Sequence, residues 1–141
     1  MSVTTGVICV DVLVAAAIAL LNVPAFTAVC PGGAWDAVPQ GTPYPYAQVS
    51  ARETPTLETF STLGFDAEMR LHLYSSYQGT KELDAIAAQA ALLLHHGTPV
   101  MVGWVAGLIS YAGCFDMPDL LSNNIRIKHR VAVFPWLMVQ S

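Results

Sequence analysis

The sequence predicts a single α+β domain over residues 1–141, in which a mostly antiparallel sheet of about five to six strands packs against an N-terminal helix and a central helix. The order of the segments supports this class. A helical run is followed by strand-like runs, a second helix and further strand-like runs, without regular strand–helix alternation. Of the 141 residues, 54% are hydrophobic and 11% are charged. Such a chain can form one hydrophobic core, and its low charge excludes intrinsic disorder.

The N-terminal run at residues 6–23, GVICVDVLVAAAIALLNV, is apolar over nearly its whole length. It is almost long enough to span a bilayer, so one alternative function is a membrane-associated accessory protein anchored by this run. Asp11 inside the run and the absence of Lys or Arg before Arg52 favour a core helix that ends before Pro24. A helix that is apolar nearly all round must be covered on more than one side. We expect a neighbouring copy of the chain or a partner protein to supply the second cover.

Three segments in the first half of the chain have the pattern of β-strands. Two short strands are predicted at residues 34–38 and 46–52, on either side of the turn-rich sequence PQGTPYPY. The third runs over residues 65–74, where apolar and polar side chains alternate. We expect its buried face to consist of Phe65, Ala67, Met69, Leu71 and Leu73.

A second helix is predicted to begin after Thr80, its N-cap, and to end at His95 and His96. The two imidazoles would complement the negative end of the helix dipole. The packing face of this helix is predicted from residues at helical spacing, namely Leu83, Ile86, Ala87, Ala90 and Leu94.

The last third of the chain predicts two strands separated by a loop. Residues 100–112 are apolar and rich in β-branched side chains, which favours a central strand, and residues 115–124 are predicted to form the loop. In the final strand, residues 125–133, apolar side chains alternate with cations, so we expect an exposed row of three basic residues. Trp104 and Trp136 are predicted to lie in the core.

No motif in the sequence proposes a reaction, because phosphate-binding glycine loops, zinc-protease motifs and nucleophile elbows are missing and the carboxylates are scattered singly. Cys9, Cys30 and Cys114 are too far apart for a paired metal or redox motif, and we expect reduced thiols. We therefore expect no enzyme activity, no catalytic residue, no metal and no cofactor. Six Lys and Arg against ten Asp and Glu give a net charge of −4, which argues against nucleic-acid binding.

Three segments carry a resemblance to a known family: the proline-rich approach VPQGTPYPYAQVS, the alternating strand FDAEMRLHLYSS and the helix ELDAIAAQAALLL. The final strand NIRIKHRVAVF matches in position and style. Together they cover most of the chain, which resembles the tail-completion, or tail-terminator, family of long-tailed double-stranded DNA bacteriophages.

The resemblance implies a structural protein of the virion tail or neck that assembles in the host cytoplasm. Its copies would form a ring, expected to be hexameric, on the head-proximal end of the tail tube. This ring would stop tube polymerisation and bind the tail tube protein on one side and the head connector or stopper protein on the other. DNA would pass through its lumen without specific binding, and no membrane would be involved. Another neck or head–tail adaptor, or a tail subunit, stays open as an alternative.

The residues expected at subunit or partner contacts follow from physical arguments and belong to three groups. The first is the second face of the N-terminal helix, the second is a pair of tyrosines on extended backbone, and the third is the polar faces of the alternating strands. They are Val10, Val14 and Ile18, then Tyr44 and Tyr46, then Glu68, Arg70, Arg126, Lys128 and Arg130.

Overall fold

The structure is a computed structural model that describes the backbone of residues 10–58, 63–77, 79–95, 104–122 and 124–140, and the side chains of residues 13–52, 67–77, 79–95, 109–121 and 124–136. Its elements, in chain order, are α1 (Val10–Leu21), α2 (Pro24–Thr27), β1 (Ala34–Trp35), β2 (Tyr46–Glu58), β3 (Leu63–Ser75), α3 (Lys81–Leu94), β4 (Trp104–Ile109), β5 (Cys114–Ser122) and β6 (Ile125–Gln140).

The six strands form one sheet in the order β1-β2-β3-β6-β4, and β5 also pairs with β6. The long strand β6 holds both partners on one edge, because β5 pairs with residues 125–132 and β4 with residues 136–140. All pairings are antiparallel except that of β1 with β2, which is parallel. The predicted α+β class and its mostly antiparallel sheet are confirmed.

The core lies between the helices and one face of this sheet. On β3 the side chains of Ala67, Met69, Leu71 and Leu73 are buried, as the alternation predicted, and Phe65 lies outside the described side chains. The predicted apolar stripe of α3 packs into the same cluster. Cross-strand pairing places Ala132, Phe134 and Trp136 of β6 on this face too, so the prediction for Trp136 is confirmed, whereas the side chain of Trp104 is outside the described part.

Helix α1 lies against β2 and α3, and Leu13, Ala17 and Leu21 are fully buried. Val14 is 6% exposed in the single chain and Ile18 packs partly against the core. Within one protomer β2 and α3 approach the helix from two directions and cover Val14, and the subunit contact expected at α1 stays a prediction. Within the described segments, no helix combines the length and the hydropathy needed to cross a membrane.

The chain between α1 and β2 is held by a few backbone contacts. The Asn22 side chain accepts a hydrogen bond from the Ala34 backbone N–H at 2.9 Å and donates one to the Ala34 carbonyl oxygen at 2.9 Å. Gly32 donates its N–H to the Pro45 carbonyl oxygen at 2.9 Å, beside a cis peptide bond at Tyr44-Pro45. A Cβ on Gly32 would lie 2.4 Å from the Pro43 carbonyl oxygen, so this close approach requires glycine.

The structure differs from the sequence predictions at both ends of α3. Thr80 precedes the first helical residue, but within the described region its side chain makes no capping hydrogen bond. His95 is the C-cap with extended backbone, and its Nδ1 accepts a hydrogen bond from the Tyr111 backbone N–H at 3.1 Å, so it lies beyond the last helical turn. His96 lies outside the described residues.

Two further differences concern the C-terminal strands. β4 lies at the end of the strand order rather than in its centre, so the central position predicted for residues 100–112 is wrong. Residues 114–122 form the strand β5 where a loop was predicted. The loop was predicted because the segment contains Pro118 and two aspartates, which are uncommon in strands. Pairing with β6 nevertheless holds its backbone in an extended conformation.

Candidate interaction surface

The sheet has a second face, here called the outer face, which is directed away from the helices. Side chains directly opposite each other on paired strands share a face. Since the even-numbered positions of β6 from Ala132 to Trp136 enter the core, the odd-numbered positions and their partners lie on the outer face. The outer face comprises Tyr46, Gln48, Ser50 and Arg52 of β2, Glu68, Arg70, His72 and Tyr74 of β3, Ile125, Ile127, His129, Val131 and Val133 of β6, and Phe115, Met117 and Leu120 of β5.

Rings form a continuous row across this face. Tyr44 stacks on Tyr46 with 5.2 Å between ring centroids, Tyr46 contacts Tyr74 at 5.2 Å, and Tyr74 stacks on His129 at 4.5 Å. The row ends at His72, whose Nδ1 is 3.0 Å from Nε2 of His129. This distance is a hydrogen bond in which one ring donates an N–H and the other accepts.

Burial and charge act together on the two imidazoles. Burial lowers the pKa of His72, and the nearby His129 and Arg70 lower it further. Burial also lowers the pKa of His129. The Nε2 atom of His72 is 3.1 Å from the Ser50 hydroxyl, so both ring nitrogens of His72 have partners. Burial thus favours the neutral form of both imidazoles.

Charged groups occupy the β2–β3 part of the outer face. Glu68 lies between two cations, with its Oε2 atom 3.1 Å from Nε of Arg52 and 3.2 Å from Nε of Arg70. The Arg70 guanidinium also lies 6.0 Å from the centroid of the Phe115 ring, at the outer limit of a cation–π contact. These contacts connect the charged part of the face to its apolar part on β5 and β6.

The apolar part of the outer face lies on a projecting hairpin, here called the arm, formed by β5 and residues 125–132 of β6. Pairing between β3 and β6 stops at Ser75 and Lys128, while β5 and β6 stay paired to Ser122 and Ile125. At the tip of the arm, between Lys128 and Ile125, the described pairings of β6 are therefore with β5 alone, as in a two-stranded ribbon. Such a ribbon has little independent stability in water.

A bulge keeps Met117 and Leu120 on one face of the arm, whereas Leu121, which is 74% exposed, lies opposite Arg126 on the other face. The register shifts between Met117 and Leu120, which face His129 and Ile127, respectively. Because His129 and Ile127 are both outer-face positions, the bulge places Leu120 beside Met117 instead of on the opposite face. Ile127 and Val131 are buried beneath this layer, and the half-exposed apolar side chains around them are Phe115, Met117, Leu120 and Ile125.

The opposite side of the molecule carries a second uncovered apolar surface, here called the outer stripe of α3. Ala85, Ala88 and Leu92 are exposed at helical spacing, and the Leu92 side chain is 77% exposed. A shallow depression there is lined by Ala88, Ala91, Leu92, His95 and Tyr111.

Arg130 joins α3 to the arm on the inner side of the sheet. Its Nε donates to Oδ1 of Asp116 at 2.7 Å and its Nη1 pairs with Asp84 of α3. The Arg130 side chain is 9% exposed. The prediction that β6 exposes a row of three cations is therefore wrong for Arg130, because two carboxylates from neighbouring elements draw it into the fold.

The structure brings some of the predicted contact residues together and separates others. Tyr44, Tyr46, Glu68 and Arg70 lie on or beside the outer face, whereas Arg126 and Lys128 lie on the other face of the arm, near Asp119 at 3.9 Å. Val14 and Ile18 belong to the core side of α1, and the side chain of Val10 is outside the described part.

The most exposed apolar residues of the arm and of α3 were missed by sequence reasoning. The alternation of Cys114, Phe115, Asp116 and Met117 is a strand signal, but it spans four residues before Pro118 interrupts it. Leu92 falls in the run ALLL, where only its position relative to the buried stripe distinguishes it from its neighbours.

The described residues carry little that suggests chemistry. Within them, no group of three or more His, Cys, Asp or Glu side chains could hold a metal ion. Cys30 is buried, which raises the pKa of its thiol to about 12, and Cys114 is exposed; both are free, whereas Cys9 lies outside the described segments. A buried thiol of this kind is a poor nucleophile.

A small α+β domain with two uncovered apolar surfaces has the architecture of a protein that works within an assembly. The same fold occurs in a chain of the "Virion of native gene transfer agent (GTA) particle", with a TM-score of 0.78, 17% sequence identity, and coverage of 98% of this chain and 100% of that chain. No curated protein sequence matches this chain significantly.

The sequence model of the family "Tail completion protein gp17" matches residues 15–112, which is more than half of the 141-residue chain. The chain therefore belongs to the tail completion protein gp17 family, a family of bacteriophage virion structural proteins.

Proposed function

We propose that this protein forms a closed ring on the head-proximal end of the phage tail tube, where it stops tube polymerisation and joins the tail to the head connector. The observation that carries the proposal is membership of the tail completion family over residues 15–112. A ring protein of this kind acts through its surfaces and has no catalytic role. The ring is expected to be hexameric.

Two physical features support an assembled state. The chain has a mean hydropathy of +0.49, and large apolar side chains on the arm and on α3 stay uncovered in the single protomer. Contiguous apolar patches of this kind mark protein–protein contacts. Contacts between copies in a cyclic assembly would cover them without requiring a larger protomer core.

The charge of the molecule supports the role of a DNA conduit. With a net charge of −4, the protein lacks the excess of cations that would neutralise phosphates and hold DNA in place. DNA would pass through the lumen of the ring without specific binding.

Native mass spectrometry of the detergent-free protein tests the oligomeric part of the proposal. We expect a discrete species at a multiple of 15.1 kDa, either for the protein alone or after tail tubes are added. A protein that stays monomeric under both conditions would contradict the ring.

Tube growth tests the terminating role. Purified tail tube protein is polymerised with and without this protein, and tube lengths are measured by negative-stain electron microscopy. We expect shorter tubes with a ring at one end. Unchanged lengths with rings bound to the connector instead would favour the alternative of a neck or head–tail adaptor.

A further inference from the structure

The chain carries two uncovered apolar surfaces of different types, a helix face and a sheet face. The outer stripe of α3 is a helix face with small side chains at Ala85 and Ala88 around the projecting Leu92. The arm presents the opposite arrangement, a sheet face with large side chains at Phe115, Met117, Leu120 and Ile125. Helices pack on sheets by fitting such faces together, as α3 already does with its buried stripe.

The two surfaces cannot meet within one protomer. The buried stripe of α3 lies against the inner face of the sheet, so its outer stripe is directed away from the sheet. Arg130 reinforces this arrangement by holding Asp84 of α3 on the inner side of the arm. The outer face of the arm is directed the other way, so its complement has to come from another molecule.

Charge favours a second copy over nucleic acid or a strongly charged partner. The exposed positions 85, 88 and 92 of α3 and the half-exposed positions 115, 117, 120 and 125 of the arm are all uncharged. The carboxylate of Asp84, at the N-terminal end of the stripe, is already paired with Arg130. Two uncharged apolar faces, one with small and one with large side chains, can cover each other without burying an unpaired charge.

We propose that the outer face of the arm of one protomer packs against the outer stripe of α3 of the next protomer. This inference rests on the proposed ring function and assigns the surfaces that build the ring. A contact between two different surfaces is head-to-tail, and repetition of such a contact about an axis closes a ring. Packing of like surfaces would instead give a two-fold dimer.

Disulfide cross-linking tests the contact. In a Cys9→Ser/Cys114→Ser background, Leu92→Cys and Leu120→Cys are introduced singly and together. Cys30 stays in place because it is buried and burial raises its pKa. On oxidation we expect the combined variant to form a ladder of covalent oligomers, while each single variant stays at 15.1 kDa. The matched control replaces Leu92→Cys with Gln40→Cys, an exposed position outside both surfaces, and should give no ladder.

A second pair of variants measures the contribution to assembly. Leu92→Asp and Leu120→Asp change side chains that are 77% and 50% exposed, so the protomer fold should persist. Each is expected to raise the protomer concentration at half-assembly by about tenfold or more, the effect of losing a central interface residue, whereas Gln40→Asp should leave it unchanged.

The outcomes separate this inference from the ring proposal. The arm–α3 contact would be overturned if rings of normal mass form, the combined cysteine variant gives no ladder, and both aspartate variants assemble like the wild type. The ring proposal would then still stand. Dimers from Leu120→Cys or Leu92→Cys alone would show like-with-like packing and overturn the arm–α3 contact as well. If no assembly forms with or without tail tubes, the ring proposal fails and this inference fails with it.

Discussion

At the scale of single residues, Arg130 is a position that the sequence pattern predicts to be exposed but that links two elements of the fold. It lies in an alternating strand between Val131 and His129, yet its guanidinium joins Asp84 of α3 to Asp116 of β5. The Arg130 guanidinium lowers the pKa of Asp116. A carboxylate with a lowered pKa stabilises the fold above its unfolded pKa of about 3.9, and this contribution is lost as the pH falls through the lower folded value.

We expect Arg130→Met to destabilise the protein by about 1–3 kcal/mol, the range for losing hydrogen bonds to charged groups. The two aspartates are well exposed and can be solvated by water, which limits the loss. Urea unfolding at pH 7 measures the difference. Arg126→Met, at a side chain that is 68% exposed, serves as the control and should change stability by less than about 0.5 kcal/mol. Equal effects of both substitutions would contradict this role for Arg130.

The imidazole pair is the second feature at this scale. Both His72 and His129 have pKa values lowered from 6.5, so the folded state binds fewer protons than the unfolded chain below that pH. Their stabilising contribution is complete above about pH 6.5 and is lost as the pH falls through the lower folded pKa values. Protonation of both rings would also leave two donors facing each other at 3.0 Å.

We expect the free energy of unfolding to fall between pH 7.5 and pH 5.5, and to fall less in His129→Phe. Phenylalanine keeps the stacking on Tyr74, which has a centroid distance of 4.5 Å, but removes one titrating group and its effect on His72. Urea unfolding of both proteins at the two pH values provides the comparison. The same loss of stability in wild type and variant would refute this explanation.

At the scale of elements, α1 shows that packing against neighbouring elements, and not hydropathy alone, decides what an apolar run becomes. The run at residues 6–23 is compatible with a membrane anchor or a core helix when hydropathy alone is considered. In the fold, α1 covers residues 10–21 and fully buries Leu13, Ala17 and Leu21 among β2, α3 and the turn segment. Its exposed described positions, Ala15 and Ala19, are small.

Truncation in α1 should therefore behave as a core substitution. We expect Leu21→Ala to cost about 2–5 kcal/mol, because removal of a fully buried leucine side chain leaves a cavity in a packed core. Ala19→Ser, on the exposed side, should cost less than about 1 kcal/mol. Thermal or urea unfolding distinguishes the two, and a neutral effect of Leu21→Ala would argue against burial of this helix in the protomer.

At the scale of the whole molecule, the net charge leads to a prediction about binding of DNA. A net charge of −4 opposes the phosphate backbone, and Arg52, Arg70 and Arg130 are already paired with carboxylates in the protomer. We expect no retarded band in a gel-shift assay with double-stranded DNA at about 0.1 M salt. Retardation that weakens steeply as salt is raised would instead indicate a cationic DNA-binding surface on the protein.

The sequence by itself determined the fold class, the half-buried strand at residues 65–74 and the packing stripe of the central helix. These features depend on periodicity, which is a local property of the chain. The family resemblance, now confirmed by the match over residues 15–112, came from the same local patterns.

Only the tertiary structure decided which face of β6 is buried, and the reason is pairing. The sequence pattern alternates Ile125, Ile127, Val131 and Val133 with three cations. Ile127 and Val131 are buried, but they lie on the outer face, whereas the register with β3 places Ala132, Phe134 and Trp136 in the core beneath the helices. A shift of one residue exchanges the two faces of a strand, so the face depends on the partner strand and not on the strand itself. Antiparallel pairing with β6 likewise made residues 114–122 a strand of the arm where a loop was predicted, because residues 125–132, the next strand along the chain, supply its backbone partners.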